Sequence, residues 1–292
     1  VSGLQLVVVT GATGAVGRHV VRRLAGTARV RLIVRDADRA RALGLTGDGE
    51  GGPEVVTADY GDLERLRPAM EGADAVFVVT ANPLRPEHDE HIVAAARGGG
   101  VRRAVKLSWL AVADPAADDL VARWNRRAEE VLRRSGLDWT VLRMRSPMSN
   151  TLAWAATIRA EGVVRAPGGD ARTPCVDPRD VADVAVLALT CTGHEGRTYA
   201  LTGPRPLSPR EQAQVLSRVR GTPVTFEELT PEQALANWLR KLPAPVARAL
   251  AEAAVRRAAG GAEDVEDGVR AVTGRAPGTF ETWAADHGDL FR

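Results

Sequence analysis

Cysteine, lysine and tyrosine are scarce in these 292 residues, and no apolar run is long enough to cross a bilayer. Two cysteines, Cys175 and Cys191, are too few and too far apart to suggest a disulfide framework. His19, His88, His91, His194 and His287 are scattered and form no cluster with cysteine at metal-ligand spacing, so no metal is expected. The nearest pair, His88 and His91, sits in PEHDEH, which reads as a solvated helix start. Neither tyrosine has a lysine four positions on: Tyr60 is followed there by Glu64 and Tyr199 by Gly203, while the two lysines are Lys106 and Lys241. A net charge of +2, with acids and bases interleaved, gives no clustered basic face, so no nucleic acid partner is expected. No membrane partner is expected either. The chain enters a strand-like segment directly, without a charged segment, apolar stretch and cleavage site, which points to a cytoplasmic protein.

What is present begins with VVVTGATGAVG at 7–17, an apolar run that stops at Thr10 and gives way to Gly11, Gly14 and Gly17. Glycine lacks a Cβ, so a tight strand-to-helix turn can bring its backbone against a pyrophosphate, with the N–H groups of the next helix aimed at the anion. Gly11, Thr13, Gly14, Ala15, Val16 and Gly17 are therefore candidate phosphate-binding positions. The same glycines would also suit an ordinary packed turn. The context favours the cofactor reading: a buried-strand pattern precedes them, an amphipathic helix follows, and a second strand comes at βαβ distance.

Strand patterns at 4–10, 30–35, 54–58, 75–80, 104–109 and 139–144 alternate with helix patterns at 17–25, 63–70, 87–98 and 118–135, with a turn-rich loop at 47–52. This alternation predicts an α/β fold, a Rossmann-type doubly wound parallel sheet covered on both faces. Beyond about residue 150 the pattern changes to helices at 179–190, 209–220, 231–240 and 245–259, with short strands at 198–202 and 224–227. The expected organisation is a dinucleotide-binding domain over 1–150 and a smaller α/β cap over 151–292 that closes one side of the cofactor cleft. The alanine- and arginine-rich stretch 245–275 carries interspersed acids and reads as a mixed solvated face.

The end of the second strand selects the cofactor, because an acid there bonds ribose hydroxyls whereas an arginine accommodates a 2′-phosphate. Arg35 occupies that position, so NADP(H) is expected in preference to NAD(H) unless Arg35 pairs with Asp36 or Asp38. Asp59 follows the third strand and is placed to reach an adenine amino group, and Thr80 and Ala81 follow the fourth. Both could equally be plain loop positions. Lys106, two residues before Ser108 on the same side of its strand, counts with the cofactor-facing residues. Buried there, it needs a carboxylate partner or loses its proton.

The segments TGATGAVG (10–17), LIVRD (32–36), VKLSWL (105–110), SGLDWTVLR (135–143), DPRDVADVA (177–185), YALTGPRPLSPREQA (199–213) and TFETWAADH (279–287) span nearly the whole chain. Together they resemble the atypical short-chain dehydrogenase/reductases of the NmrA-like NAD(P)-binding group. The resemblance implies a Rossmann fold and a dinucleotide. It also implies either a reductase of quinones and other small conjugated compounds or a redox sensor that binds the dinucleotide without turnover. Asn125 stands where related sequences often have histidine, Met144 where they have proline, and Pro147 where they have an aromatic. Asn125 and Glu129 share the helix face on which typical short-chain enzymes carry a Tyr-x-x-x-Lys pair, absent here.

Reducing an ordinary ketone creates an alkoxide that needs a proton donor, commonly that tyrosine. A conjugated acceptor such as a quinone, enone or imine gives a delocalised or neutral product that solvent can protonate, so orientation over the nicotinamide supplies much of the acceleration. An NADPH-dependent reductase of such a small molecule is therefore expected. In it Ser108 bonds a substrate oxygen, Asn125 donates to the developing anion, and Glu129 orients Asn125 or holds the nicotinamide ribose. Glu129 pairing only with Arg126 or Arg133 is the simpler alternative. Trp109, Met144, Met148 and Trp154 are expected to line the substrate pocket. A non-redox isomerase or cyclase on the same fold is a third reading, and monomer and homodimer both stay open.

Overall fold

The computed structural model of the chain describes residues 5–47, 52–260 and 262–292, so Leu4 of the first expected strand and residues 48–51 of the expected loop lie outside the description. Twelve α-helices and nine strands occur among the described residues. In chain order they are β1 (Leu6–Thr10), α1 (Gly17–Leu24), β2 (Arg29–Val34), α2 (Ala37–Ala42), β3 (Glu54–Thr57), α3 (Leu63–Met70) and β4 (Ala75–Val78). Then follow α4 (Glu87–Gly98), β5 (Arg103–Trp109), α5 (Leu120–Arg133), β6 (Asp138–Met144), α6 (Ala155–Glu161), β7 (Val163–Ala166) and α7 (Pro178–Thr190). The chain ends with β8 (Arg197–Leu201), α8 (Pro209–Arg220), β9 (Thr225–Glu228), α9 (Pro231–Leu239), α10 (Ala244–Ala258), α11 (Gly268–Thr273) and α12 (Phe280–Asp286).

Seven strands form one sheet in the order β3-β2-β1-β4-β5-β6-β8, a Rossmann-type α/β arrangement. The pairs β2–β3, β1–β2, β1–β4 and β4–β5 are parallel. Because β1 leads to β2 on one side and has β4 on the other, the winding reverses between β1 and β4, and ligands of such sheets bind at the carboxyl ends beside that reversal. Every residue of β1 is buried, as a strand covered on both faces requires.

The chain divides into two compact units, each discontinuous. The first comprises the described residues up to Val112 together with Arg123–Arg143 and Pro178–Tyr199. The position of α7 differs from the expected division at residue 150, for it belongs to this first unit. It packs on α1 and on β4 and β5, burying Val181, Val184, Ala185 and Ala188, and Asp183 pairs with Arg23 of α1. An apolar face at helical spacing looks the same whichever body it covers.

The second unit comprises Ala113–Ala122, Met144–Asp177 and the described residues from Ala200 onward. Its parallel pair β7–β9 and the helices around it enclose Ile158, Val164, Leu216 and Phe280, with Trp283 stacked between Phe280 and His287. Ser208 with Glu211 and Thr230 with Gln233 form reciprocal capping boxes that start α8 and α9. The stretch 245–275, expected to present a mixed solvated face, contains α10, which buries Ala247 and Ala249, and the short α11.

The start of α1 is set by a missing carbon. A Cβ on Gly17 would stand 2.2 Å from the Gly11 carbonyl oxygen, while one on Gly14 would stand 3.1 Å from the same oxygen. Gly11 itself has φ +61°, with Val79 where its Cβ would go. Gly17→Ala should therefore destabilise the fold by about 1–3 kcal/mol, the range for forcing atoms into packed space. Gly14→Ala should cost visibly less, and thermal unfolding of the two variants measures the difference.

Candidate functional site

The carboxyl ends of β1 and β4 are tied by one hydroxyl. Thr10 Oγ1 donates to the Phe77 carbonyl (2.8 Å) and accepts from the Val79 N–H (2.7 Å), which holds the strand ends together where the winding reverses. The Gly11 N–H donates to the Tyr60 hydroxyl (2.7 Å), and that hydroxyl faces the Ile33 carbonyl at 3.3 Å. Burial pushes the Tyr60 phenol above its ordinary pKa, only partly offset by the Gly11 bond, so the ring is a neutral brace beneath the glycine turn. Sequence reasoning missed this role, because nothing in the spacing of Tyr60 relates it to Gly11.

Beyond the turn, α1 starts at Gly17 with no side-chain cap and no acidic residue in its first turn, so its N-terminal dipole faces no carboxylate of its own helix. Arg18 Nε is buried and lacks a hydrogen-bond partner among the described residues. A cradle that a Cβ would fill, an uncapped helix start and an orphaned guanidinium N–H are the donor set a pyrophosphate takes, so the residues 11–17 fit the phosphates of a dinucleotide.

Arg35, just past β2, is exposed and makes no ion pair among the described residues. The acids that could have occupied it are engaged elsewhere: Asp36 caps α2 by accepting from the Arg39 N–H (3.0 Å), and Asp38 pairs with Arg41. Asp59 accepts from the Gly61 N–H (2.7 Å) and lies 3.8 Å from His88 Nε2, its carboxylate otherwise open to solvent. Ala81 is exposed at the end of the segment that follows β4.

Asp89, in the segment expected to be a solvated helix start, lies instead in the interior. Asp89 on α4 is 1% exposed and accepts from Thr80 Oγ1 (2.9 Å) and Trp124 Nε1 (2.9 Å), with Lys106 Nζ at 3.2 Å. Lys106 is also 1% exposed and donates to the Leu107 carbonyl (2.7 Å). The carboxylate that a buried Lys106 demands is thus Asp89, and both the ammonium and the Thr80 hydroxyl are spent on it. A helical signal existed in the sequence: Ile92, Val93 and Ala96 are buried at three, four and seven positions beyond Asp89, which places that acid on the inward stripe of α4.

Ser108 and Glu129 are brought together, Ser108 Oγ donating to Glu129 at 2.6 Å. The carboxylate also takes a two-point fork from Arg143 (3.0 and 2.7 Å) and a bond from Arg133 (2.8 Å). Burial alone would raise the Glu129 pKa, but the bonds from Arg143, Ser108 and Arg133 outweigh it and hold the group below the ordinary carboxylate value. Asn125 is buried one turn before Glu129 on α5, and Trp109 is half-buried at the end of β5. In the second unit Met144 is half-buried, Met148 lies inside the apolar core at 1% exposure, and Trp154 packs on that core while lining a pocket with Thr173 and Arg257. Among the described residues no group of side chains has the makeup of a metal site, and no helix is long and apolar enough to cross a membrane.

Comparison with known proteins gives this geometry its relatives. Residues 11–192 match the family described as NAD(P)H-binding. The chain is 48% identical over 286 residues to a (4-alkanoyl-5-oxo-2,5-dihydrofuran-3-yl)methyl phosphate reductase of Streptomyces griseus, covering 98% of this chain and 99% of that one. It is 34% identical over 291 residues to an NAD(P)H azoreductase of Xenophilus azovorans, covering 98% and 99%. The NADPH complex of an Escherichia coli NADPH-dependent quinone oxidoreductase superposes with TM-score 0.82 at 27% identity, covering 98% of this chain and 100% of that one.

The anchoring of Glu129 has a measurable acid signature. Its lowered pKa contributes stability that is complete above the unfolded value of about 4.3 and is lost as pH falls through the folded value. Glu129→Gln should be less stable than the parent at pH 7, by about 3 kcal/mol. The gap should shrink below about pH 4, and denaturant titrations at the two pH values read it directly.

Proposed function

The chain belongs to the NAD(P)H-binding family, within the NmrA-like atypical short-chain dehydrogenase/reductases, and is an NAD(P)H-dependent oxidoreductase; from that premise we propose that it uses NADPH to reduce a small acceptor whose double bond is conjugated with a carbonyl. The observation that carries this reading is the state of the groups able to protonate an alkoxide. The Tyr60 hydroxyl is held by Gly11 and Ile33, the Lys106 ammonium by Asp89, and the Ser108 hydroxyl by Glu129. Such a site suits an acceptor that asks the protein for orientation and not for a proton.

Residues 11–17 would hold NADPH, whose hydride would add to the acceptor's β-carbon while the double-bond electrons move onto the carbonyl oxygen, leaving an enolate for water to protonate. The chain's own contribution is placement. Gly11, Thr13, Gly14, Ala15, Val16, Gly17 and Arg18 receive the phosphates, with Tyr60 stiffening the turn from below. Thr80 and Ala81 continue the path past β4. Ser108 and Asn125 face the acceptor in this reading, and Glu129 fixes Ser108 and Arg143. The furanone phosphate reductase relative supports the acceptor class, for its named substrate is a butenolide whose ring double bond is conjugated with both an acyl and a lactone carbonyl. Hydride addition there yields an enolate spread over two carbonyls, which lowers the demand for a protein acid further.

For the nucleotide, Arg35 has no acidic partner among the described residues while Asp36 is committed to capping α2, which supports a 2′-phosphate and hence NADPH over NADH. Arg35→Ala is expected to weaken NADPH about tenfold or more, the size of one charge-assisted contact, and to leave NADH almost unchanged. Equal losses for both, measured by fluorescence titration, would remove Arg35 from the cofactor assignment. The acceptor is tested by following NADPH oxidation against butenolides, quinones, enones and isolated ketones. Turnover is expected with the conjugated compounds and at least a hundredfold less with isolated ketones. Comparable rates across the two groups would overturn the proposed chemistry.

A further inference from the structure

The second unit contains a pocket of about 140 Å³, well below the roughly 300–1,000 Å³ that holds a whole small ligand, so it is sized for one substituent. Its first residues in the chain, Ser146 and Pro147, begin two positions after the end of β6. Apolar walls come from Trp154 and Leu207, and no carboxylate of the described residues lines it.

Two polar groups there are unsatisfied. Arg257, near the end of α10, makes no side-chain hydrogen bond or ion pair among the described residues, whereas its neighbour Arg256 is paired with Asp119. Thr173 Oγ1 is buried and has no hydrogen-bond partner among the described residues. The remaining groups near Arg257 do not neutralise it. Burial pushes the Cys175 thiol up to about 11, so it is uncharged at neutral pH and simply accepts from Gln212 Nε2 at 3.2 Å. Asp119 also acts on Arg257 but is bonded to Arg256 and to the Val121 and Ala122 N–H groups, and Arg145 adds a second positive charge from nearby. Burial lowers the Arg257 pKa, the mark of a cation short of compensation.

We propose that this pocket is an anion subsite that receives a phosphate monoester on the acceptor, with the Arg257 guanidinium gripping the phosphate and the Thr173 hydroxyl donating to one of its oxygens. A planar guanidinium suits a phosphate because two N–H groups reach two oxygens together. The apolar walls then hold the carbon that carries the ester. The phosphate in the named substrate of the 48% identical relative fits this class of ligand. The inference rests on the reductase reading for the identity of the acceptor and on the pocket for the phosphate.

Calorimetry on the protein saturated with NADP⁺ separates the two. The (4-alkanoyl-5-oxo-2,5-dihydrofuran-3-yl)methyl phosphate should bind at least tenfold more tightly than its dephosphorylated alcohol, and inorganic phosphate should compete with the ester but not with the alcohol. Arg257→Gln should erase the preference for the ester. Arg248→Gln, which removes an exposed charge from the same helix, should keep it, and NADP⁺ affinity reports that each variant is folded. Equal binding of ester and alcohol to the parent protein overturns the subsite, as does an undiminished preference in folded Arg257→Gln. A phosphate preference without any NADPH oxidation sinks the reductase reading and keeps the subsite. Turnover of both compounds with the same KM does the reverse.

Discussion

The carbonyl oxygen of Gly11 occupies the space beside Gly17 so completely that a single added carbon would collide with it. That contact fixes how near α1 comes to the end of β1, and the donor geometry around the turn follows from it. The helix start carries no side-chain cap, Thr10 locks the turn to β4, and the Tyr60 hydroxyl supports the Gly11 N–H from beneath. The proposed phosphate site would profit from donors fixed in advance, since loose donors would have to be ordered when the ligand arrives.

The first unit holds charge in its interior by surrounding each carboxylate with donors. Asp89 with Lys106 and Glu129 with Arg143 each place a carboxylate where water cannot reach it, and each carboxylate collects several donors. Full satisfaction removes the desolvation penalty that would make such groups intolerable. It also removes them from acid–base work. A residue whose proton is already shared with a partner of fixed geometry is poorly placed to give it to a passing substrate. The two buried carboxylates beside β5 therefore act as scaffolding, Glu129 by holding Ser108 and Arg143 in place.

Much of this was legible in the sequence. The alternation of apolar strands with amphipathic helices gave the sheet, and β5 and β6 lie within a residue of their expected starts. The glycine turn was readable because its constraint is steric and local. Short elements were not: α2, α6 and β7 are four to seven residues long, too short for a periodicity to accumulate, and β7 gains its strand character only by pairing with β9. Long-range polar contacts were equally silent. Tyr60 to Gly11 spans 49 positions and Lys106 to Asp89 crosses from strand to helix, so spacing paired neither, although it set Asp89 on the inward stripe of α4 and a buried lysine demanded an acid. The PEHDEH segment misled because three acids and two histidines look solvated until the helix phase of Asp89 is set by Ile92 and Val93.

Enclosing Lys106 changes the outer chemistry of the protein as well as its core. Lys241 becomes the one side-chain ammonium that meets water, and the remaining solvent-facing cations are guanidinium groups and whatever imidazoles are protonated. Guanidinium is flat and weakly hydrated, and it does not lose its proton under ordinary conditions. Acylation, methylation or crosslinking directed at lysine side chains would therefore find a single address on this surface, in the turn between α9 and α10.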